Sequence, residues 1–588
     1  MKPLIGRALQ GGMVVRPGLI RVPGRVPYGL TAVRRDGLGL VELALQDPGR
    51  FTPEVAARAA ALLRQWRSAR VGGCWWGAAA PVSAAGRAVV FAAAARRDTL
   101  ALLDMAGPGA VLVAGRQAGW AAECRRREVE LVAGPVDPWP LLEAAGSVHA
   151  AGRDEVALLA GLLGRTVVCR GPGPLSLTRD PVRLMAAVLH GTWFTDPFSG
   201  AAVDCEGFLR LLAEWRQQNA AAAAIGCCVG ISFWKRRRIA AMLGGERRMS
   251  FRRTARASVR AAVRTGGGIA VWPSRAPAGL DGAAAAAGVA VSRVEDGFIR
   301  SRGLGADFLP PFSVVLDRLG LYYDATGPSE LEAILLQDPF EPTLLRRAAA
   351  LRARLVRDGV TKYNLSGMVT ISPPPGRRVV LVPGQVADDR SVLLGGGGVR
   401  PGLDLLRRVR ARAPEAWIIY KPHPDVEAGH RAGAVADHDV LALADQVLRG
   451  GSMAELLGQV DEVHTLTSLT GFEALLRGVP VVTYGQPFYA GWGLTTDDNP
   501  PPGRGRALSL DALVAGTLIL YPRYFDPVLR LPCGPEIVLD RLADPALQGV
   551  NLLVMVRRLQ GRAAMLLRRW ARNGFGPSSS PPVRDRVR

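Results

Sequence analysis

The feature that most restricts what this chain can fold into is an internal repeat. The stretch GRAVVFAAAARRD, Gly86 to Asp98, parallels GRRVVLVPGQVADD, Gly376 to Asp389, each a strand-like apolar run after a Gly-Arg turn. Three further pairs follow in the same order: Gly107 to Ala118 with Ala413 to Pro424, Ser147 to Val168 with Glu462 to Val482, and Leu184 to Pro197 with Leu513 to Pro527. Ala/Leu-rich sequence gives single matches by chance; four in one order are hard to obtain that way. Within both copies short apolar runs alternate with helical patterns, as in VVLVP, LDLLRRVRARAP and AWIIYKP. That rhythm describes β-α-β units and parallel sheets. The copies differ at loop positions, where Lys421 and His423 face Gly115 and Gln117, and Thr467-Ser468 faces Gly152-Arg153. Segment 1–215 is therefore read as a degenerate copy of the later lobe, with its core kept and its polar chemistry lost.

A chain of 588 residues exceeds one ordinary core and suits two to four domains. Its net charge of +23 points to an acidic partner. No basic stretch is interleaved with aromatics, so nucleic acid is not the expected one. The seven cysteines form no CxxC pair, which argues against a disulfide framework and a structural zinc site. The amino-terminal apolar stretches are broken by Arg7, Arg16, Arg21 and Arg25, and a cytoplasmic protein is expected.

Ahead of the second copy lies another α/β region, with a basic run Trp234-Lys235-Arg236-Arg237-Arg238 and strand candidates ending at Trp272 and in SRVEDGF. Two Rossmann-like lobes in series, 225–375 and 376–545, make an α/β GT-B architecture with ligands between the carboxyl ends of the facing sheets. The runs VEDGFIRSRGLGADFLPPFSVVLDRLGLYYDATGPSELEAIL (Val294 to Leu335), TKYN (Thr361 to Asn364), LVPGQVADDRS, IIYKPHPDVEAGHRAG and HTLTSLTGFEALLRGVPVVTYGQPFYAGWGLTTD (His464 to Asp497) resemble the KpsC-type capsule polysaccharide biosynthesis family. The resemblance covers about 230 to 545. It implies a retaining β-Kdo transferase that uses CMP-β-Kdo to build a Kdo linker on a phosphatidylglycerol-type lipid at the inner membrane. It also implies an acceptor lobe at 225–375 and a nucleotide-sugar lobe at 376–545. Members of that family carry two transferase modules, whereas this sequence keeps one intact and one truncated.

The residues suggest compatible chemistry. In HTLTSLTGFEALL, Thr467, Ser468 and Gly471 form a hydroxyl-rich turn opening a helix, a place where backbone N–H groups attract phosphate. Lys421 and His423, in a turn stiffened by Pro422 and Pro424, add the cationic character that one helix end lacks. Glu473 is expected either to accept from ribose hydroxyls or to complete a capping box on its own helix. Retention at the anomeric carbon calls for a carboxylate nucleophile. Asp389 takes that role because the family pattern Q-x-x-x-D-x-S falls on Gln385, Asp389 and Ser391, while its neighbour Asp388 is given a turn or cap role. Glu295 is expected as general base on the acceptor hydroxyl, with Asp296 beside it. The competing reading has Asp296-Gly297 as a plain turn and Glu295 paired with Arg300 or Arg302. Arg300 is also a candidate donor-site cation. No metal or other cofactor is expected, since a departing CMP carries one phosphate and no DxD pair is read in a loop of the kind that chelates Mg²⁺ between diphosphate and protein. His464 recurs as His149 in the degenerate copy and is read as structural.

Phe488, Tyr489 and Trp492 either close over the substrate or plug the space between the lobes. Segment 546–573 reads as a basic amphipathic helix whose core, 551–572, is suited to the inner-membrane surface, and 574–588 as a disordered tail. The expected partners are a CMP-sugar donor, a glycolipid acceptor, the membrane surface and the capsule export machinery. A second reading is a catalytically silent docking or assembly component of a capsule export complex.

Overall fold

The computed structural model describes residues 37–75, 77, 83–115, 119–134, 136–191, 194–243, 249–300, 310–361, 367, 369–427, 431 and 435–544. The basic segment 551–572 and the tail 574–588 lie outside the described residues, as do 301–309 and 362–366 within two of the motifs. The chain divides into two compact units, Met1–Ala223 with Val528–Leu531, and Ala224–Pro527 with Pro532–Arg588.

In the first unit, β1 (Ala88–Phe91), β2 (Val111–Ala114), β3 (Glu130–Ala133), β4 (Ser147–Ala151) and β5 (Val167–Arg170) form a parallel sheet in the order β3-β2-β1-β4-β5. Val89, Val111 and Val148 face one apolar layer, and Val90 and Leu112 the other. A sheet covered on both faces needs continuous apolar runs, which is why VVF and VLV read as unbroken stretches. A small antiparallel hairpin, β6 (Phe194–Thr195) and β7 (Ala202–Val203), follows.

The second unit holds two lobes. The first is built on β8 (Ile225–Val229), β9 (Phe251–Arg252), β10 (Gly268–Val271), β11 (Val291–Asp296) and β12 (Ser313–Asp317). Adjacent cysteines Cys227 and Cys228 point into opposite layers as small buried hydrophobes, and all seven cysteines are free thiols. The second lobe is a parallel sheet of β13 (Val379–Pro383), β14 (Trp417–Lys421), β15 (Gln446–Val447), β16 (Glu462–Thr465), β17 (Val481–Thr483) and β18 (Thr496–Asp497), in the order β15-β14-β13-β16-β17-β18. Its first five strands repeat the order of β1 to β5. The matched sequence stretches occupy corresponding strands, β1 with β13, β2 with β14, and β4-β5 with β16-β17.

The chain then does what the 376–545 boundary did not anticipate. Strand β19 (Arg523–Asp526) leaves the second lobe and pairs antiparallel with β12, Ser313 opposite Tyr524, with β20 (Leu531–Cys533) at the sheet edge beyond it. The Tyr521 hydroxyl donates to Asp317 Oδ2 at 2.7 Å, and Arg541 grips Asp526 through two bonds of 3.0 and 2.8 Å. The aromatics Tyr524 and Phe525 suit a strand, but residue types do not say which sheet edge it completes. Two Rossmann-like lobes facing across a cleft, with the chain returning to the first, constitute a GT-B fold. No helix among the described residues is long and apolar enough to cross a membrane.

Candidate functional site

A cavity of about 470 Å³ opens between the two lobes of the second unit. Its second-lobe wall stands at the carboxyl ends of β13, β14 and β16, where the strands release their loops. Gly384 allows the first loop to pass close to the second: a Cβ there would lie 2.8 Å from the Tyr420 hydroxyl, and the Gly384 N–H donates to Lys421 O at 2.7 Å.

Gln385 lies in this wall but spends its amide on the protein. Its Oε1 accepts from Thr465 Oγ1, Leu466 N and Thr467 N at 3.2, 3.3 and 3.2 Å, and its Nε2 donates to Thr467 Oγ1 at 2.9 Å. The structure thus makes it a brace for the turn after β16. Ser468 caps the following helix, Leu469–Leu476, accepting from Thr470 N at 3.2 Å. Thr467, Ser468, Leu469 and Thr470 bring the positive end of that helix to the cavity.

Gly471 departs from expectation. It does not line the cavity; a Cβ would stand 2.3 Å from the Tyr489 hydroxyl, which donates to Ser468 O at 2.6 Å. The glycine seats a tyrosine that braces the turn. Glu473 does line the cavity, and the capping-box reading fails because with Ser468 as cap the glutamate is the fifth helical residue, not the third.

Lys421 ends β14 buried, with its ammonium donating to Gly450 O; burial pushes its pKa down. His423 accepts the Asp425 N–H on Nδ1 at 3.1 Å, so the neutral ring carries its proton on Nε2. Both line the cavity with Thr467 and Ser468.

Asp389 lies in the same wall, but the cap role assigned to Asp388 belongs to it. The helix Arg390–Gly395 starts one residue later than Asp388 would require, and Asp389 Oδ1 accepts from Ser391 N and Oγ at 3.0 and 2.8 Å. Asp388 is exposed and pairs with Arg431 at 2.7 Å. The cap fixes one oxygen of Asp389; among the described residues Oδ2 makes no hydrogen bond.

The first-lobe wall comes from the end of β11. Glu295 lines it, with Oε1 accepting the Asp296 N–H at 3.0 Å. Asp296 receives Lys235 Nζ on Oδ1 at 2.9 Å and Arg300 Nε on Oδ2 at 2.8 Å. Burial alone raises a carboxyl pKa, but Arg300 and Lys235 outweigh it and hold Asp296 far below the usual range. With one oxygen held by Lys235 and the other by Arg300, Asp296 serves as their counter-ion, where the sequence had placed it among the catalytic groups. It also takes the ion pair with Arg300 that the sequence offered to Glu295.

Lys235 and Tyr323 are among the lining residues that escaped the sequence reading. Lys235 hid in a basic run, although its i, i+4, i+8 spacing with Ile239 and Leu243 puts it on the buried face of its helix. Tyr323 is an aromatic whose hydroxyl is buried without a hydrogen-bond partner among the described residues; burial raises its pKa, with Glu295 and Asp389 adding to the effect. The aromatic loop settles as a plug. Phe488 meets Phe298 at 5.0 Å, Phe472 at 5.3 Å and Tyr322 at 5.7 Å, while Tyr489 and Trp492 are fully buried. Phe488 and Pro487 still show one side to the cavity. His464 is buried against Tyr484 and Glu462, away from the lining. Among the described residues no group of three or more His, Cys, Asp or Glu is arranged to hold a metal ion.

The family model for capsule polysaccharide biosynthesis proteins matches residues 268–349 and 341–524. The capsule polysaccharide modification protein LipA of Neisseria meningitidis serogroup B is 40% identical over 352 residues, 60% of this chain and 50% of that one. The lipopolysaccharide-processing protein LpsZ of Rhizobium meliloti is 44% identical over 236 residues, 40% of this chain and 54% of that one. The chain therefore spans about half the length of the curated relatives it matches. Among solved structures, the beta Kdo 2,7 transferase of Thermosulfurimonas dismutans KpsC is 36% identical, covering 54% of this chain and 100% of that one, with a TM-score of 0.45. The beta Kdo 2,4 transferase of the same protein is 29% identical, covering 54% and 98%, with a TM-score of 0.46.

Proposed function

Because the chain belongs to the KpsC-type capsule polysaccharide biosynthesis family, we propose that its cleft transfers Kdo from CMP-β-Kdo, with retention, to a lipid-linked phosphatidylglycerol/Kdo acceptor during capsule linker synthesis. The observation that carries the reading is the meeting of Glu295 from one lobe with Asp389, Lys421, His423, Thr467 and Ser468 from the other around a single cavity. The identity with a chain described as a beta Kdo 2,7 transferase, over that chain's whole length, supports the choice of sugar.

In this mechanism the second lobe holds the donor. Lys421, the His423 Nε2–H and the positive end of the helix Leu469–Leu476 surround the phosphate and stabilise the charge that grows on it as the bond to the sugar breaks. Asp389, aimed by its bonds to Ser391, attacks the anomeric carbon and forms a sugar ester as CMP leaves. Glu295 then takes the proton of the acceptor hydroxyl, which displaces Asp389 and restores the original configuration. The buried plug of Phe298, Phe472 and Phe488 holds the two walls together.

Incubation with CMP-Kdo and a Kdo-primed phosphatidylglycerol analogue tests this by mass spectrometry. One added Kdo with wild type, lost in Asp389→Ala and His423→Ala, is the expected result. No addition by folded wild type, with no detectable CMP binding, would leave the docking-component reading in its place.

A further inference from the structure

We propose that the first-lobe wall contains a subsite for the carboxylate of the acceptor's terminal sugar, read by Lys235; the proposal rests on the transferase reading above. The Lys235 side chain is 8% exposed, yet it lines the cavity. A buried ammonium needs partners. Among the described residues the Lys235 ammonium makes one hydrogen bond, to Asp296, and stands 3.6 Å from the centroid of Trp272. An ammonium has three donors, so the wall retains capacity for an anionic acceptor.

The local charges point the same way. Asp296 is shared by Lys235 and Arg300, two cations on one carboxylate. Glu295, next along β11, balances the excess while it is ionised. When Glu295 takes the proton of the attacking hydroxyl its charge disappears, and the described residues of the wall are left with one positive charge too many. A carboxylate on the acceptor sugar, close to the reacting hydroxyl, restores the balance at that moment. It also raises the proton affinity of Glu295 before transfer, as a nearby negative charge does. Ser274, beside Trp272 in the same wall, supplies a hydroxyl for the second carboxylate oxygen. The ligand class is thus an acidic sugar at the acceptor terminus. The donor's carboxylate has the same chemistry, but the groups assigned to the donor phosphate, Lys421 and His423, belong to the opposite wall.

The test compares kcat/KM for two glycolipid acceptors, one ending in an acidic sugar and one with that carboxylate converted to the carboxamide, using wild type, Lys235→Met and Lys235→Arg. Wild type is expected to favour the carboxylate by about 10- to 100-fold, the range for a hydrogen bond to a charged group. Lys235→Met should bring the ratio close to one, and Lys235→Arg should recover part of it. The methionine leaves Arg300 and Asp296 as a balanced pair, and thermal denaturation checks that the variant is folded. Equal use of the two acceptors by wild type, or a preference that survives in Lys235→Met, overturns the subsite. A rise in KM for CMP-Kdo with the acceptor preference intact assigns the wall to the donor and overturns the acceptor proposal. Failure of wild type to transfer to either acceptor is a different result, which removes the transferase reading itself.

Discussion

Gln385 and Thr467 are locked together in both directions: the glutamine amide donates to Thr467 Oγ1 at 2.9 Å while its carbonyl accepts the Thr467 N–H at 3.2 Å. The same carbonyl also takes Thr465 Oγ1 and Leu466 N, so one side chain sets the path of the loop that brings Thr467 and Ser468 to the cavity.

Gln385→Ala should therefore act on catalysis through the loop. The substitution orphans two backbone N–H groups of the turn, each at a cost of about 1–3 kcal/mol if it stays out of water. Thermal denaturation should register the loss. CMP affinity, measured by calorimetry, should fall about tenfold or more, in line with the ~1.4 kcal/mol that a factor of ten represents. A variant with wild-type CMP affinity would place the phosphate away from this turn.

A second prediction concerns acid. Because the folded-state pKa of Asp296 lies below its unfolded value of about 3.9, the Asp296 contribution to stability is complete above that value and is lost as pH falls toward the folded one. Wild type should lose stability on acidification below about pH 4, and Asp296→Asn should lose less over the same window. At neutral pH Asp296→Ala should be destabilised by about 3–5 kcal/mol, since Lys235 and Arg300 then lose the carboxylate they share in a buried site. Denaturant titrations at a series of pH values measure both effects; parallel acid profiles for wild type and the asparagine variant would contradict the triad.

Gly471 supplies a packing test. Gly471→Ala places a methyl 2.3 Å from the Tyr489 hydroxyl and should cost about 1–3 kcal/mol. Removing the hydroxyl in the double variant Gly471→Ala with Tyr489→Phe should recover part of that cost, because the hydroxyl is the nearest clash while Cζ, at 2.7 Å, remains. Strictly additive losses in a double-mutant cycle would mean that the glycine serves something other than the tyrosine.

Much of this arrangement was legible from residue order, and the reasons are local. Lys421 and His423 sit in a proline-bounded turn at a strand end, and Ser468 stands before an apolar helix, so their placement at the cavity follows from rules that act over a few residues. The cap expected at Asp388 belongs to Asp389, because which one caps a helix depends on where that helix begins, a matter of one residue. Lys235 was hidden by its arginine neighbours; only Ile239 and Leu243 mark its face as buried, and Asp296 comes to it from 61 residues away. The crossing of Arg523–Asp526 to the first sheet was out of reach for a related reason. Aromatic residues favour a strand, while the edge it joins is chosen by long-range contacts such as Tyr521 with Asp317.

The most direct test of the account is the intact mass of the folded protein after incubation with CMP-Kdo in the absence of acceptor. The account predicts a fraction of wild type heavier by one Kdo, with the mass located on the peptide containing Asp389, chased away by acceptor and missing from Asp389→Ala. An adduct on a different residue, or transfer to acceptor that persists in Asp389→Ala, would contradict it.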